Sequence, residues 1–266
     1  MSPNRDLGGH LEEMARRAGR ILMSHFGRLA DGEVDFKGKR DLQTVADRES
    51  EAFLISEIGR RFPDHVILAE ESFRGDERAT MDSGKPVWIV DPLDGTTNFV
   101  HELPTFTVSL GIVDGDGPLA GAVFAPRLEE MFLAVRGDGA SLNGRPIRVS
   151  ENDQLIDAVL ATGFAYRVDE IADDNLDHFC HLIPRTRAIR RFGSAALDLA
   201  YTAAGRFDGF WELHLSPWDV AGGACLIREA GGVVSDMKGG DDWLFGRHIV
   251  GASPALHPLL LRELHR

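Results

Sequence analysis

Two aspartates follow an apolar run near the middle of the chain. Residues 87–90 have the length and β-branched content of a buried strand, and Asp91 comes directly after them. Pro92 has no backbone N–H and is expected to end the strand there. A second carboxylate, Asp94, places two acids at the carboxyl end of one strand. Ligands bind at such ends in α/β sheets, and carboxylates there suit hard cations such as magnesium.

The residues after the second aspartate favour an anion as the partner of that cation. Gly95, Thr96 and Thr97 predict a short helix or nest whose N–H groups face an anion. Acids and an anion cradle this close together indicate metal-assisted phosphate chemistry. The alternative is an ordinary Asp-Gly turn, in which Asp94 has only a turn-forming role.

Two further acids stand beside other predicted elements. Asp47 falls in the first turn of a helix predicted over residues 44–61, where the helix dipole alone favours an acid. Glu70 follows the apolar run 66–69, with Glu71 next to it, and adjacent acids repel each other unless a positive charge is near. Each position therefore fits either a metal site or the ordinary end of an element.

Asp219 lies near the start of another predicted helix. Ser216 is a predicted N-cap and Pro217 occupies N1, so Asp219 at N3 would complete a capping box. The other interpretation makes Asp219 a third metal carboxylate, presented at the helix start. Inside this helix Gly222 and Gly223 cost roughly 1 kcal/mol each against alanine, which predicts that something packs closely against them.

The elements that must position these acids are of mixed type. Apolar residues at helical spacing predict an amphipathic helix over 5–27, and the charged residues 31–41 predict a loop or hairpin. Residues 106–113, 119–125 and 130–136 predict an antiparallel meander. The later elements are predicted as a strand at 158–162, helices at 169–182 and 195–204, strands at 207–212, 233–234 and 249–250, and a helix at 254–265.

Composition limits the classes of function. The 266 residues, 43 % of them apolar, suit one large domain with a sizeable core. The net charge of −13 disfavours direct nucleic-acid or membrane binding, because those surfaces need basic patches. Cys180 and Cys225 lack metal-ligand spacing and are expected to be reduced. No stretch approaches the roughly 18 apolar residues of a spanning helix, so a cytoplasmic protein is expected.

Taken together, these motifs resemble the inositol monophosphatase family of lithium-sensitive, magnesium-dependent phosphatases. The resemblance rests on Asp47, Glu70-Glu71, Asp91-Pro-Leu-Asp94-Gly-Thr-Thr, GSAALDLAYTAAGRFDGFWE at 193–212, Trp218-Asp219 and Glu229-Ala-Gly-Gly. It covers nearly the whole chain, and 193–212 is similar to the bacterial inositol-1-monophosphatase branch. It implies an αβαβα five-layered sandwich of α+β and α/β type. It also implies one phosphatase domain, 1–266, with an N-terminal α+β part of about 1–150, a C-terminal α/β part of about 151–266, and a homodimer.

The resemblance also implies a set of metal ligands. Glu70, Asp91 and the Leu93 carbonyl would hold a first Mg²⁺, and Asp91, Asp94 and Asp219 a second. A third, weaker ion would share Glu70, so each site would hold two or three ions. Two cations would polarise the phosphate and neutralise charge on the entering and leaving oxygens, and the attacking group would be a metal-activated water.

The remaining roles follow from the same resemblance. Thr96 and Asp47 would orient and deprotonate the attacking water, and the Gly95 and Thr96 N–H groups would hold the phosphate. The residues expected to meet the polyol are Gly193, Ser194, Ala195 and Glu212. The expected substrate is therefore a small phosphate ester, inositol monophosphate. Histidinol phosphate and fructose 1,6-bisphosphate are alternative substrates, and a regulatory binding protein that keeps the fold is an alternative of another class.

Overall fold

The computed structural model describes residues 3–30, 32–36, 42–166 and 170–265. In these ranges the α-helices are α1 (Pro3–His25), α2 (Val45–Arg61), α3 (Thr96–Val100), α4 (Leu176–Leu182), α5 (Ala195–Ala203), α6 (Pro217–Glu229) and α7 (His257–Leu264). The strands are β1 (Val34–Phe36), β2 (Leu42–Thr44), β3 (Val66–Ala69), β4 (Val87–Asp94), β5 (Thr107–Asp114), β6 (Gly117–Ala125), β7 (Glu130–Val135), β8 (Gly139–Leu142), β9 (Arg145–Pro146), β10 (Val159–Thr162), β11 (Ala188–Arg190), β12 (Gly209–Leu213), β13 (Val233–Ser235) and β14 (His248–Ala252). Short 3-10 segments lie at Arg78–Ser83, Leu155–Asp157 and Ile183–Arg185.

Two mixed sheets carry the architecture. The larger sheet has the order β3-β4-β5-β6-β7-β8-β9, in which β3 and β4 are parallel and the later neighbours antiparallel. This arrangement confirms the predicted meander. The smaller sheet has the order β11-β10-β12-β14-β13, with β10 parallel to both of its neighbours and the other pairs antiparallel. A separate hairpin, β1–β2, lies where a loop or hairpin was predicted, although residues 31 and 37–41 lie outside the described ranges.

The helices form three layers around the two sheets. Helices α1 and α2 pack on one face of the larger sheet, and α5 and α6 lie between the two sheets. Helices α4 and α7 cover the outer face of the smaller sheet, where a third apolar core forms. The αβαβα order implied by the resemblance is therefore confirmed. No helix in the described ranges is long and apolar enough to cross a bilayer.

The strand that carries the central aspartates is longer than predicted. We expected Pro92 to end it at Asp91, but β4 runs on to Asp94. Asp91 pairs with Ser109 and Asp94 with Thr107, so β4 has one more residue than β5 in this interval. A proline fits such a bulge, because the bulged residue has no ladder hydrogen bond to donate. The bulge therefore lets both acids belong to one strand.

Three other boundaries differ from the prediction. The helix predicted from residue 169 begins at Leu176, after Asn175, whose φ of 70° is left-handed and incompatible with a helix interior. Residues 167–169 lie outside the described ranges. The strand predicted at 207–212 is Gly209–Leu213, and the last helix begins at His257.

Glycines bring α6 against the larger sheet. A Cβ atom added to Gly121 would lie 2.4 Å from the Gly222 carbonyl oxygen, and one on Gly111 would lie 2.5 Å from the Ala221 Cβ. On the opposite side of α6, a Cβ on Gly223 would lie 2.4 Å from the Leu199 Cβ. This close packing is the reason predicted for the glycine pair in α6. It sets the height at which the first turn of that helix meets the sheet.

Candidate active site

Three carboxylates from two distant elements meet at one edge of the larger sheet. Asp91 and Asp94 lie on β4, and Asp219 lies in the first turn of α6. One oxygen from each lies within 4.8 Å of the others. We call these three residues the acid cluster. The sequence predicted Asp91 and Asp94 together from their spacing, whereas only the fold brings Asp219 to them.

Backbone and side-chain donors hold the two β4 carboxylates. Asp91 Oδ1 accepts from the Leu93 N–H at 2.9 Å, across the bulge. Asp94 Oδ2 accepts from Ser194 Oγ at 2.6 Å and from the Ala196 N–H at 2.8 Å. Ser194 is also the N-cap of α5, so Asp94 is tied to the start of a helix of the middle layer. These bonds fix each carboxylate through one oxygen.

The structure confirms the capping role of Asp219 and leaves its metal-binding role a prediction. Its Oδ2 accepts from the Ser216 N–H at 2.6 Å, which is the capping-box bond predicted for this helix start. The same carboxylate lies in the acid cluster. The cap therefore orients the side chain and does not compete with a metal-binding role. Arg247 donates to Ser216 Oγ at 2.9 Å and holds the cap residue from outside.

The electrostatics of the acid cluster favour a cation. Burial raises the pKa of Asp91 well above its usual range, and repulsion from Glu70, Asp94 and Asp219 raises it further. Burial also raises the pKa of Asp94 to about 6, although the bonds from Ser194 and Ala196 oppose the shift. The pKa of Asp219 is raised by burial and by Asp94.

The donor set also fits a hard cation. Among the described residues, no lysine or arginine forms an ion pair with the acid cluster. Arg247 acts on Asp219 without forming an ion pair and opposes the rise of its pKa. Crowded carboxylates are the oxygen ligands that hard divalent ions bind, and such an ion would remove their mutual repulsion.

Glu70 stands at the border of the acid cluster. It follows β3, which is parallel to β4, so it reaches the same sheet edge as Asp91. Its charge is the largest contribution after burial to the raised pKa of Asp91. It is not among the three residues whose oxygens lie within 4.8 Å of one another. Glu70 is therefore close to Asp91 but not in the tightest group, and its role as a metal ligand stays a prediction.

Asp47 and Thr96 form a hydrogen-bonded pair beside Leu93. Thr96 Oγ1 lies 3.2 Å from Asp47 Oδ1 and 3.1 Å from the Leu93 carbonyl oxygen, so its hydroxyl can donate to either. Asp47 Oδ2 accepts from the N–H and hydroxyl of Thr44, at 2.8 and 2.5 Å. This capping box starts α2 and satisfies one carboxylate oxygen while the other faces Thr96. The capping box confirms that Asp47 has a helix-start role, and its role in proton transfer stays a prediction.

The residues expected to meet a polyol lie beside the acid cluster. Glu212 is buried at the end of β12, and burial raises its pKa well above the usual range. Its charge contributes to the raised pKa of Asp219, so the two carboxylates lie near each other. Gly193 lies beside Gly95, because a Cβ on Gly95 would lie 3.1 Å from the Gly193 carbonyl oxygen. The fold therefore brings 95–96 and 193–195 together from opposite halves of the chain.

Comparison with known proteins decides the family. The profile of the inositol monophosphatase family matches residues 5–266. The chain belongs to the inositol monophosphatase family.

Relatives in this family have two kinds of name. An inositol-1-monophosphatase of Mesorhizobium japonicum is 39 % identical over 254 residues, which are 96 % of this chain and 94 % of that protein. The Nus factor SuhB of Pseudomonas aeruginosa is 41 % identical over 254 residues, 94 % of this chain and 92 % of that protein. The structure of inositol monophosphatase from Anabaena has a TM-score of 0.86 at 38 % identity, covering 98 % of this chain and 96 % of that one. A phosphatase with an acid cluster able to bind metal is thus supported.

Sequence reasoning missed two residues, Asn98 and Asp198, that lie beside this candidate site. Asn98 Nδ2 donates to the carbonyls of Thr105 and Phe192, at 2.6 and 2.8 Å, and so holds the loop before Gly193. Asp198, one turn into α5, is buried, and its Oδ1 has no hydrogen-bond partner among the described residues. Asn98 gives no sequence signal, because its partners come from other segments. The polar Asp198 in the apolar stretch of α5 was a signal that we did not use.

Proposed function

We propose that this protein is a magnesium-dependent phosphomonoesterase that hydrolyses inositol monophosphate to inositol and phosphate. One observation carries the proposal: in a chain of this family, three carboxylates from two elements converge within 4.8 Å. Beside them lie a threonine–aspartate pair and a second cleft wall with a buried glutamate. This arrangement supports both phosphate hydrolysis and recognition of a hydroxyl-bearing alcohol.

The acid cluster, Glu70 and the Leu93 carbonyl are the residues that would hold two or three Mg²⁺ ions. Magnesium would polarise the phosphate and neutralise charge on the entering and leaving oxygens. The Leu93 N–H donates a hydrogen bond to the Asp91 carboxylate and so orients it. The Leu93 carbonyl oxygen can accept a hydrogen bond from Thr96, so it lies next to the residue proposed to orient the attacking water.

The protein's own groups supply the proton transfer. When the Thr96 hydroxyl donates to Asp47, its lone pairs remain free to accept a hydrogen bond from a water molecule. A proton leaving that water can pass to Thr96 Oγ1 while the hydroxyl proton moves to Asp47. Thr44 holds Asp47 through the other oxygen and so keeps it directed at Thr96. The Gly95 and Thr96 N–H groups, at the start of α3, would hold phosphate oxygens.

The alcohol part of the substrate would lie between Glu212 and residues 193–195. Glu212 can accept hydrogen bonds from neighbouring hydroxyl groups. The Ser194 hydroxyl donates to Asp94 and accepts from the Leu197 N–H, so it holds the start of α5 at this place. An acceptor such as Glu212 suits a polyol better than an alcohol without further donors. We propose inositol monophosphate over the alternatives, histidinol phosphate and fructose 1,6-bisphosphate, because a relative 39 % identical to this chain is named inositol-1-monophosphatase.

A panel of phosphate esters tests the proposal. Purified protein is assayed with and without magnesium on inositol 1-phosphate, histidinol phosphate, fructose 1,6-bisphosphate and para-nitrophenyl phosphate. We expect kcat/KM to be highest for inositol 1-phosphate and activity to vanish in chelator. A higher value for either alternative would reassign the substrate. No hydrolysis of any ester at any magnesium concentration would overturn the enzymatic function.

The names of the relatives favour a second candidate function, a regulatory role of the kind implied by Nus factor. Relatives so named in Pseudomonas aeruginosa and Escherichia coli are 41 % and 40 % identical to this chain. Because the net charge is −13, such a role would be exerted through protein contacts and not through direct nucleic-acid binding. An Asp91→Asn variant that complements loss of the gene as well as the wild type would support it, whereas failure to complement would favour the enzymatic function.

The proposal extends to assembly and location. We expect a homodimer in the cytoplasm. Exposed large apolar side chains in the C-terminal half, Ile156, Leu176 and Ile183, offer surface that a second copy would cover. Both cysteine thiols are free, as in a reducing compartment. Light scattering after gel filtration measures the assembly, and a monomeric mass at micromolar concentration would contradict it.

A further inference from the structure

A glycine that has no role in the proposed mechanism lies directly against the Glu212 carboxylate. A Cβ atom added to Gly163 would lie 2.2 Å from Oε1 and 2.3 Å from Oε2 of Glu212. Gly163 is not among the residues with positive φ, so an alanine there would be strained by contact and not by backbone conformation. The Glu212 carboxylate therefore occupies the space that a side chain at position 163 would fill.

A buried asparagine holds that glycine in place. Asn175 Nδ2 donates to the Gly163 carbonyl oxygen at 2.7 Å and to Thr162 Oγ1 at 2.9 Å. Asn175 Oδ1 accepts from Trp211 Nε1 at 2.7 Å. One amide thus ties the residue that faces Glu212 to the residue that precedes Glu212. This side chain thus links the ends of β10 and β12, which are already paired in the sheet.

Thr162 completes the network. Its Oγ1 donates to the Trp211 carbonyl oxygen at 2.6 Å, and the two residues are register partners of the parallel strands β10 and β12. Thr162, Trp211 and Asn175 are all buried, so each donor and acceptor must find its partner inside the protein. Asn175 adopts a φ of 70°, which asparagine tolerates better than most side chains. The network therefore requires this residue type at this position.

We propose that Gly163 and Asn175 are positioning residues that determine the selectivity of the Glu212 side of the cleft for phosphate esters of polyols. The inference rests on the proposed function. Gly163 leaves room for the Glu212 carboxylate, and Asn175 ties the Gly163 carbonyl to the side chain of Trp211, the residue before Glu212. Neither residue forms a hydrogen bond with the acid cluster in the described ranges. Their effect is directed at the alcohol and not at the phosphate.

Gly163→Ala is the direct test. The added methyl group must push the Glu212 carboxylate away from its place, so hydrogen bonds to polyol hydroxyls are lost. We expect the ratio of kcat/KM for inositol 1-phosphate to that for para-nitrophenyl phosphate to fall about tenfold, the size of one charged hydrogen bond. The loss should lie mainly in KM for inositol 1-phosphate, since the acid cluster is unchanged.

A crowded glycine elsewhere is the matched control. A Cβ on Gly232 would lie 2.6 Å from Ile227 Cγ2 and 2.8 Å from Val149 Cγ1, between α6 and the smaller sheet. Gly232→Ala should lower the melting temperature without changing the substrate ratio. An equal fall in the ratio for Gly232→Ala would show that any packing damage alters selectivity, and would overturn the inference.

A double-mutant cycle separates action through Glu212 from action through the fold. In a Glu212→Ala background the atoms that clash with the new methyl group are gone. Adding Gly163→Ala there should leave the ratio unchanged, although it lowers the ratio in the wild-type background. The same fall in both backgrounds would mean that Gly163 does not act through Glu212, and would reject the proposal.

Asn175→Gly gives a second variant should Gly163→Ala fail to fold. Glycine keeps the left-handed backbone and removes the three hydrogen bonds, so the ratio should again fall. An unchanged ratio in a folded Asn175→Gly or Gly163→Ala protein overturns this inference alone. A wild-type protein with no Glu212-dependent preference overturns the proposed function as well, so the two failures are distinguishable.

Discussion

The two ends of the cleft are built in different ways. At the metal end, Asp91 and Asp94 come from one strand, and a single bulge sets their spacing. At the end proposed to meet the polyol, the Glu212 carboxylate lies against Gly163, whose carbonyl accepts a hydrogen bond from Asn175 on another segment. The spacing of Asp91 and Asp94 is encoded within a few consecutive residues, whereas Asp219 and the surroundings of Glu212 are brought to the site by other layers of the fold.

This difference suggests which properties can differ easily between members of the family, the phosphate chemistry or the choice of substrate. A substitution around Glu212 can move one carboxylate without touching the metal end, because the two ends share few hydrogen bonds. Asp94 is the exception, since its carboxylate accepts from Ser194 and Ala196 at the start of α5. The chemistry should therefore resist change, while substrate choice should respond to single substitutions. The predictions below test that separation.

Asp91→Asn should have the largest effect. It removes one charge from the centre of the acid cluster and should cost at least about 4 kcal/mol of transition-state stabilisation, or roughly a thousandfold in kcat. The fold should survive, because asparagine keeps the acceptor for the Leu93 N–H. The measurement is kcat at saturating magnesium, with circular dichroism as the check on folding. Asp64→Asn, at an exposed acid before β3, is the control of equal charge change. Turnover near the wild-type value would reject the role of Asp91.

Lithium should also act at the acid cluster, with a smaller effect on the rate than Asp91→Asn. The three carboxylates of the acid cluster offer a site for a small hard ion, and lithium would bring only half the charge of magnesium. We expect an optimum in magnesium concentration and uncompetitive inhibition by millimolar lithium. Initial rates at several substrate concentrations, with sodium chloride at equal ionic strength as control, measure this. Identical rates in lithium and sodium would contradict the picture.

Glu212→Gln should act on the other end. The amide replaces one acceptor oxygen by a donor, so the ratio of kcat/KM for inositol 1-phosphate to that for para-nitrophenyl phosphate should fall about tenfold. The KM for magnesium should change much less than this ratio, because Glu212 lies outside the acid cluster and acts on Asp219 only through its charge. Equal losses on both substrates would place Glu212 in the chemistry or the fold.

Gly121→Ala should have the smallest effect on catalysis and a clear effect on stability. The methyl group would meet the Gly222 carbonyl oxygen, so α6 must shift, at a cost of about 1–3 kcal/mol. At about 2–4 °C per kcal/mol, thermal unfolding should detect the change. Because α6 carries Asp219, the KM for magnesium should rise severalfold while the substrate ratio stays constant. Gly59→Ala, with no atom within 4 Å of the new methyl group, is the control.

The sequence alone was sufficient for the parts of the site that are local. The Asp91 and Asp94 pair and the short helix after Gly95 were predicted from adjacent residues, because the strand and the turn lie within one stretch of chain, whereas the bulge at Pro92 was not predicted. The capping box at Asp219 was predicted for the same reason, since a cap depends on four neighbouring residues. The family resemblance then supplied the layer order, which no local pattern contains.

The tertiary structure decided what depends on residues far apart in the chain. Asn175 was predicted inside a helix, yet its buried bonds to Gly163, Thr162 and Trp211 hold it outside. Those partners lie on other strands, so no window of sequence contains both sides of the interaction. The extension of β4 to Asp94 depends likewise on its pairing with β5. Residue types and spacing thus determined the chemistry available, while packing between layers determined which groups face one another across the cleft.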